Sequence, residues 1–346
     1  MGLLRGGSLL SASTSSLVGL IANPASGKDI RRLIAHATTV DNRGKVGILR
    51  RALAGLAAMG VERVAIMPDS YHLGQQAIQG LGGSSAHPDI ALLDMPVTNG
   101  AQDSEVAAGL LCQARAAAII VLGGDGTVRA VSKGAGEVPL VPISTGTNNV
   151  LPSFIEGTIA GLAAGALATG RIPLQRIAIR HKWLEVRVNG ASRDRALVDV
   201  VLLRGRFVGA RAVWNMADVR QILVTRAHPS SIGMSAIAAA VHPIDPEEPR
   251  GLALALHGEP LRRIWAAIGP GLIRRVDISA MRTLEIGEAV ELAVEEPLIA
   301  ALDGEREVPL HEGDGVQFVL RADGPWIVRV ERVMEEMVAR AMFDST

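Results

Sequence analysis

Three glycines around one acid, Gly123-Gly124-Asp125-Gly126, are the residues with the clearest capacity for chemistry, and Thr127 follows them. Glycine lets a turn adopt positive φ and removes the Cβ that would keep a phosphate away from the backbone. A carboxylate in such a turn repels phosphate, so it suits the orientation of Mg²⁺ or the removal of a proton from an attacking hydroxyl. Taken alone, the same run is equally consistent with an ordinary tight turn.

A strand and a helix must position this turn. The apolar run 116–122 is short and bounded, as expected of a buried parallel strand, and a helix can begin at Thr127. A strand, a glycine turn and a helix start bring backbone N–H groups towards an anion. Two common nucleotide motifs are excluded, because Arg129 stands where the dinucleotide fingerprint needs glycine and Ala22 where Walker A needs glycine.

Two further polar loops follow predicted strands. Residues 23–27 come directly after the strand 17–22, and residues 144–149 come after the strand 138–143. Ligands of open α/β sheets bind at the carboxyl ends of strands, so we expect all three loops to converge on one pocket. For the first loop, a plain connection in which Ser26 caps a helix is the alternative.

The order of the elements predicts a two-domain α/β fold. Strand and helix alternate through residues 17–170, which is typical of a nucleotide-binding domain built on a doubly wound parallel sheet. Residues 171–330 contain many strand-like segments and predict a mostly antiparallel β domain for substrate binding or oligomerisation. Within it, 214–226 and 231–241 have a helical pattern. Residues 1–16 predict a disordered tail, and 331–346 a C-terminal helix or tail.

Composition narrows the class of protein. Apolar residues make up 48% of the 346 residues and aromatic residues 3%, which favours an aliphatic α/β core. The 35 basic residues equal the 35 acidic ones, so no net field attracts nucleic acid or an anionic membrane. Cys112 is the sole cysteine, which fits a reducing, cytoplasmic location. No apolar run reaches the roughly 18 residues of a membrane span, and the histidines lack zinc-ligand spacing.

Three motifs in this order resemble the NAD kinase/diacylglycerol kinase/sphingosine kinase superfamily. They are Asn-Pro-x-Ser-Gly from Asn23, Gly-Gly-Asp-Gly-Thr from Gly123, and Pro-x-x-x-Gly-Thr-x-Asn from Pro142. Near the end of the chain, Leu302-Asp303-Gly304-Glu305 is similar to the Asp-Gly-Glu of the lipid kinase branch. The stretches 26–33 and 145–150 are similar to the NAD-kinase-like acetoin catabolism protein X (AcoX) group.

The resemblance implies a NAD kinase-like fold and an ATP-dependent kinase that phosphorylates a hydroxyl of NAD(H) or a related metabolite, in a role linked to acetoin catabolism. It implies Asp125 and Glu305 as catalytic residues, with Mg²⁺ held through Asp125. It also implies ATP or another phosphoryl donor, and NAD as a further ligand. Weaker counterparts of the NAD kinase substrate residues are Asp199 and Ser231. The implied nucleotide contacts are Asn23, Ser26, Gly27, Lys28, Gly123, Gly124, Gly126, Thr127, Thr145, Gly146, Thr147 and Asn149.

Two departures from these patterns keep other functions open. Val150 stands where lipid kinases carry an acid, and Val198 where NAD kinases carry an asparagine. They favour a second hypothesis, a nucleotide- or dinucleotide-binding regulator with weak catalysis. A diacylglycerol-type lipid kinase is the third, although no basic amphipathic surface helix is evident. The expected partners are the nucleotide, a small-molecule substrate and further copies of the chain, with no nucleic acid and no stable membrane association.

Overall fold

The structure is a computed structural model that describes residues 3–4, 16–26, 38–81, 87–146, 149–205, 216–304 and 306–344. The helices are α1 (Asn42–Ala58), α2 (Leu73–Gln79), α3 (Ala101–Gln113), α4 (Asp125–Gly134), α5 (Gly157–Ala168), α6 (Leu174–Ile177), α7 (Met234–Ala239) and α8 (Val330–Ala339). The strands of the first half are β1 (Leu3–Leu4), β2 (Leu17–Ala22), β3 (Arg63–Ile66), β4 (Asp89–Leu93), β5 (Ala118–Gly123), β6 (Leu140–Ser144), β7 (Ala178–Arg180), β8 (Trp183–Val188), β9 (Ala191–Ala196) and β10 (Asp199–Arg204). The later strands are β11 (Val219–Val224), β12 (Arg250–Ala255), β13 (Arg262–Gly269), β14 (Leu272–Ile278), β15 (Ala280–Glu285), β16 (Ala289–Ala293), β17 (Leu298–Leu302), β18 (Arg306–Leu310), β19 (Gly315–Arg321) and β20 (Trp326–Val328).

An eight-stranded sheet carries the polar loops, in the order β1-β4-β3-β2-β5-β6-β20-β7. Its strands are parallel except for the β20–β7 pair. The chain builds outward from β2 through β3 to β4 and then returns to add β5 on the other side of β2. The topological switch of the sheet therefore lies between β2 and β5, which is where ligands of such sheets bind.

Both faces of this sheet are covered, which explains why its central strands are apolar at every position. Leu20 and Ile120 point to a core shared with α1, α2, α5 and α8. Their neighbours Ile21 and Val121 point to the opposite core, shared with α3 and α4. Alternating side chains of buried parallel strands enter two cores, so the run reads as continuously hydrophobic.

The second region is a sandwich of antiparallel sheets. A six-stranded sheet, in the order β15-β12-β11-β10-β17-β18, packs one face against a four-stranded sheet, β16-β19-β8-β9. The hairpin of β13 and β14, together with α7, covers the other face. The predicted fold class, a doubly wound parallel sheet followed by a mostly antiparallel β region, is confirmed.

The chain passes between the two regions at neighbouring places. It leaves the first sheet after β7 and returns to it at β20, and these strands pair with Arg180 opposite Trp326. Beyond that pair, the N–H of His181 donates to the carbonyl of Pro325 at 2.9 Å, and the N–H of Gly324 donates to the carbonyl of His181 at 3.1 Å. The segment 326–328, predicted among the second-region strands, thus lies in the first sheet.

One local prediction is wrong. The spacing of residues 214–226 predicts a helix, but the described part of this segment is a short 3₁₀ turn at Met216–Asp218 followed by strand β11. Within residues 1–16, for which a disordered tail is predicted, Leu3–Leu4 pair in parallel with Leu92 and Leu93 of β4. Among the described residues, no helix has both the length and the apolar character needed to cross a membrane.

Helix α5 lies unusually close to α1 because glycine recurs at every fourth position, at Gly157, Gly161 and Gly165. A Cβ on Gly161 would lie 2.2 Å from the carbonyl oxygen of Ala52, and one on Gly157 would lie 2.5 Å from that of Ile48. These contacts are with backbone atoms, which cannot rotate away. Gly157 and Gly161 are therefore required for the helix spacing, at some cost in helix propensity.

We expect Gly161→Ala to lower the free energy of unfolding by about 2–3 kcal/mol, because the added methyl overpacks the α1–α5 contact. Gly109→Ala in α3 is the matched control, since nothing lies within 4 Å of its Cβ position. That change should raise stability by about 0.5–1 kcal/mol through helix propensity. Urea denaturation measures both. Equal effects of the two changes would contradict the close approach of α5 to α1.

Candidate functional site

Three loops meet at the carboxyl edge of the first sheet, beside the switch between β2 and β5, and we call this the three-loop site. Its first loop is 23–26, its second is 123–127 and its third is 144–151. Asn23 Nδ2 donates to Thr127 Oγ1 at 3.3 Å, which joins the first loop to the second. The hydroxyls of Ser26 and Thr145 lie 3.1 Å apart, which joins the first to the third.

The glycine turn positions Asp125 at the first residue of α4, with Gly124 as the N-cap in an extended conformation. A Cβ on Gly123 would lie 2.5 Å from Thr127 Oγ1, so that glycine makes room for the threonine that contacts the first loop. The turn therefore aims the N-terminal amides of a ten-residue helix at the site.

The carboxylate of Asp125 holds the third loop against α4. Its Oδ2 accepts the N–H of Val150 at 2.9 Å, and its Oδ1 accepts the N–H of Leu151 at 2.8 Å. In return, the N–H of Asp125 donates to Asn149 Oδ1 at 3.4 Å. The side chain is 7% exposed. The acid is thus fixed by backbone donors, and its neighbour Val150 takes part through its amide rather than its side chain.

Asn149 and Ser144 shape the third loop. Asn149 Nδ2 donates to Ser144 Oγ at 2.8 Å and to the carbonyl of Gly146 at 3.1 Å. The nearest atom to a Cβ on Gly146 would be 3.8 Å away, so the protein itself does not require glycine there. Open space over an ordered backbone is what a ligand group approaching the loop would need.

Lys45 of α1 holds the first loop in place through hydrogen bonds, and its role was not predicted from the sequence. Its side chain is 1% exposed, and its Nζ donates to the carbonyls of Asn23 at 2.9 Å, Pro24 at 3.3 Å and Ser26 at 2.8 Å. All three ammonium protons therefore have acceptors. A signal was available, because Lys45 lies four residues before Leu49 and so belongs to the apolar face of α1.

A buried ionic network joins α4 to the second region. Arg129 Nε lies 3.3 Å from Asp303 Oδ2, and Arg129 Nη1 lies 3.9 Å from Asp194 Oδ2. Lys133, one turn further along α4, contacts Asp194 at 2.5 Å. The side chains of Arg129 and Asp303 are 8% and 0% exposed. The positive charge of Arg129 and Lys133 on α4, which we call the site helix, is therefore balanced by acids of the second region.

The carboxylate of Asp303 also organises the connection between β9 and β10 and the first residue of β10. It accepts the N–H groups of Leu197 at 3.0 Å, Val198 at 2.8 Å and Asp199 at 3.2 Å. Burial raises the pKa of Asp303, while the charge of Arg129 and the three N–H donors act to lower it. Asp303 adopts φ of +50°, so the turn after β17 is built around this residue.

Several predicted site residues fall outside this description or lie apart from the loops. Gly27, Lys28, Thr147 and Glu305 lie outside the described residues. Asp199 is buried at the start of β10 and reaches the site helix indirectly, through Asp303. The N–H of Ser231 donates to the carbonyl of His228 at 2.9 Å, in the turn before α7.

The metal prediction stays a prediction. Within the described part of the chain, no group of three or more His, Cys, Asp or Glu side chains could hold a metal ion. Mg²⁺ is commonly held by one or two carboxylates together with substrate phosphates, so one acid such as Asp125 does not argue against it.

A buried histidine lies where the chain enters the second region. The ring of His181 is fully buried, and its Nδ1 donates to the carbonyl of Lys182 at 2.5 Å. Burial and the nearby charge of Arg226 lower the pKa of His181 to about 3, so the ring is neutral near pH 7. Lys182 is also buried, and its Nζ donates to the carbonyls of Asp245, Glu248 and Arg250.

Comparison with known protein families gives two matches that divide the chain much as the two regions do. Residues 18–172 match the profile of the ATP-NAD kinase N-terminal domain, and residues 182–323 match that of the acetoin catabolism protein X C-terminal domain. The first match contains all three loops. The second contains Asp194, Arg226 and Asp303.

A curated protein and a solved structure are also similar to the chain. Acetoin catabolism protein X of Cupriavidus necator is 42% identical over 320 residues, which cover 90% of this chain and 89% of that protein. The crystal structure of an NAD kinase from Archaeoglobus fulgidus in complex with ATP covers 95% of this chain and 100% of its own, at 12% identity and a TM-score of 0.40. That overall likeness is too weak to transfer ligand positions.

We expect Arg129→Met and Asp303→Asn each to lower the free energy of unfolding by about 3–5 kcal/mol, since each leaves the other charge or its donors buried without a partner. The double variant should lose about 1–3 kcal/mol less than the sum. Denaturant titration of all four proteins measures this coupling. The exposed pair Arg263–Asp277, at 3.5 Å, is the control, and its coupling should be below about 1 kcal/mol. A similar value for both pairs would contradict the buried network.

Stability should also depend on His181 below neutral pH. The folded-state pKa of about 3 lies below the ordinary value of 6.5, so the unfolded chain binds the extra proton. The stability that the neutral His181 ring contributes is therefore fully present above pH 6.5 and is lost as the pH falls from 6.5 towards 3. Between pH 7 and pH 5 the wild-type protein should lose about 2 kcal/mol more than His181→Asn. An equal loss of unfolding free energy in the two proteins between pH 7 and pH 5 would contradict a neutral, buried ring.

Proposed function

The chain belongs to the acetoin catabolism protein X family, and we propose that it transfers the terminal phosphoryl group of a nucleoside triphosphate, bound at the three-loop site, to a hydroxyl of a small molecule. Family membership confirms the relationship predicted from the motifs. The kinase reaction, its substrates and the roles of individual residues are the proposal.

One observation carries the proposal: hydrogen bonds join the three polar loops around the N-terminus of α4. One joins Asn23 to Thr127 at 3.3 Å, and the other joins Ser26 to Thr145 at 3.1 Å. The dipole of α4 favours an anion at this position, and the topological switch of the sheet lies alongside. The ATP-NAD kinase match over residues 18–172 supports ATP as the donor.

Asp125 is proposed to orient Mg²⁺ rather than to remove a proton. Both of its oxygens already accept backbone N–H donors from Val150 and Leu151, which fix the carboxylate and compete for its lone pairs. Mg²⁺ would be held by Asp125 together with the phosphates, and when bound it would neutralise phosphate charge.

Glu305 is proposed as the general base. It follows Asp303 by two residues, and Asp303 is tied to Arg129 of the site helix. In the transfer, the acceptor oxygen forms a bond to the terminal phosphorus and gives up its proton to the base. The bridging oxygen keeps the electron pair of the bond that breaks and leaves with the diphosphate. Position and charge compensation supply most of the catalysis in such a reaction.

The acceptor is proposed to be NAD(H) or a related metabolite, in a cytoplasmic protein with a role linked to acetoin catabolism. The name of the Cupriavidus necator relative supports that link. Assembly into a homodimer or higher oligomer belongs to the same proposal.

A catalytically weak, nucleotide-binding regulator is the second candidate. The observation that favours it is the structural use of Asp125, whose carboxylate is engaged by the loop amides at 2.8–3.1 Å. Val150 supplies an amide to this contact but no acidic side chain that could assist a metal. Such a protein would keep the nucleotide site and respond to occupancy without turnover.

Asp125→Asn tests the kinase. We expect ATP consumption to fall by about 10²-fold or more, because the variant lacks the carboxylate charge that would orient Mg²⁺. ATP affinity should change little. The assay uses Mg-ATP with NAD, NADH, acetoin-like diols or diacylglycerol as acceptor, and calorimetry measures binding. Appearance of NADP would identify NAD as the acceptor.

Asp103→Asn is the matched control, because Asp103 also accepts backbone N–H groups, those of Thr98 and Asn99, in the loop after β4. It should lower stability and leave turnover unchanged. Binding of ATP without turnover on any acceptor would favour the regulator. Absence of nucleotide binding by the wild-type protein would exclude both candidates.

A further inference from the structure

Lys45 of α1 is a buried cation whose ammonium contacts the backbone of the first loop. Its side chain is 1% exposed, and its Nζ donates to the carbonyls of Asn23 at 2.9 Å, Pro24 at 3.3 Å and Ser26 at 2.8 Å. Lysine is almost never fully buried unless partners satisfy its ammonium, because burial of the charge is costly. Three carbonyls of one short loop are therefore a specific environment for this side chain.

The start of α1 is fixed by contacts of its own. The carboxylate of Asp41, the N-cap, accepts the N–H of Gly44 at 2.7 Å, and the carbonyl of Asp41 accepts the N–H of Lys45 at 3.0 Å. One turn later, Leu49 is fully buried in the core that α1 shares with the sheet. The ammonium is thus held by a helix of the core, and the first loop takes its position from that helix.

The segment that leads into α1 also contacts the third loop. The N–H of Val40 donates to the carbonyl of Thr145 at 2.9 Å, and Thr39 pairs with Gly146. Residues 39–45 therefore contact both the first and the third loop. Two loops that are far apart in sequence are held by one short stretch of the chain.

A directed chain of hydrogen bonds connects Lys45 to the contacts between the loops. Ser26 Oγ donates to the carbonyl of Asn23 at 2.8 Å, and this is the carbonyl that Lys45 also contacts. A hydroxyl has one proton, so Thr145 must be the donor in its 3.1 Å contact with Ser26. The side chain of Asn23 donates to Thr127 of the second loop. Lys45 thus contacts the backbone of both residues through which the first loop reaches the other two.

We propose that Lys45 is a positioning residue for phosphate binding at the three-loop site. This rests on the proposed function and adds a residue that acts through the first loop rather than by touching the nucleotide. Without the ammonium, three loop carbonyls lose a donor, and the loop must turn them towards water or other donors. The side chains of Asn23 and Ser26 would then leave the other two loops. Binding groups that are not held in place bind a ligand more weakly.

Calorimetric titration with Mg-ATP compares Lys45→Met with the wild-type protein, at a temperature where both are folded. We expect the variant to lose at least about tenfold in ATP affinity. Lys182→Met is the matched control, because Lys182 is also buried and its Nζ donates to the carbonyls of Asp245, Glu248 and Arg250 in the second region. Both variants should unfold at a lower temperature, but the control should keep its ATP affinity within about twofold. Equal losses of affinity in the two variants, or no loss in Lys45→Met, would overturn the assignment.

Thr145→Val tests the same hydrogen-bond chain from its other end and leaves the buried lysine in place, so it serves even if Lys45→Met does not fold. It should lose about three- to tenfold in ATP affinity, because Ser26 no longer receives a proton from the third loop. The double variant should lose at least about threefold less than the product of the two single losses, since both changes disrupt one chain. Unchanged affinity in Thr145→Val, or losses that multiply, would overturn the proposal.

Inorganic tripolyphosphate separates this proposal from the proposed function. It should raise the unfolding temperature of the wild-type protein more than that of Lys45→Met. If the wild-type protein bound tripolyphosphate but no nucleotide, the proposed function would fail, yet a rise that depends on Lys45 would still support the positioning role. Equal ATP affinity in the wild-type protein and Lys45→Met would overturn that role and leave the proposed function standing. A wild-type protein that binds neither ligand would overturn both.

Discussion

The buried contact between Arg129 and Asp303 is the interaction on which the rest of the site depends. Arg129 belongs to the helix that begins at Asp125, and Asp303 belongs to the turn that leads to Glu305. Without this contact the two regions would share far less charge-compensated surface beside the loops. The Asp303 carboxylate also accepts three backbone N–H groups, those of residues 197–199, where β9 leads into β10. One acid therefore fixes both the relative position of the two regions and the local path of the chain.

Three buried acids in this protein organise backbone. Asp125 holds the third loop, Asp103 holds the loop after β4, and Asp303 holds residues 197–199. Lys45 does the equivalent with carbonyl groups of the first loop. Polar side chains thus replace regular secondary structure where the loops must stay irregular, because buried backbone groups need partners.

The sequence predicted the parallel sheet and the three loops well, because short apolar runs that end in glycine and polar residues are local signals. It failed for β11, where Val219, Ile222 and Leu223 have the spacing of a helix face. In the structure Ile222 enters one core and Leu223 the opposite one, and only the flanking strands β10 and β12 reveal this. Arg129 and Lys45 were missed for a related reason: burial of a charge depends on partners distant in sequence.

The paired segments at β7 and β20 have a consequence for motion. The described chain passes between the two regions beside Arg180 and Trp326. A backbone hydrogen bond joins His181 to Pro325 there. Any swing of one region against the other would therefore turn about this seam, and it would have to open the buried contact between Arg129 and Asp303. Residues that lie far from the seam would travel further than His181 and Lys182. A fluorescent label at exposed Trp265 of β13 would report such a swing.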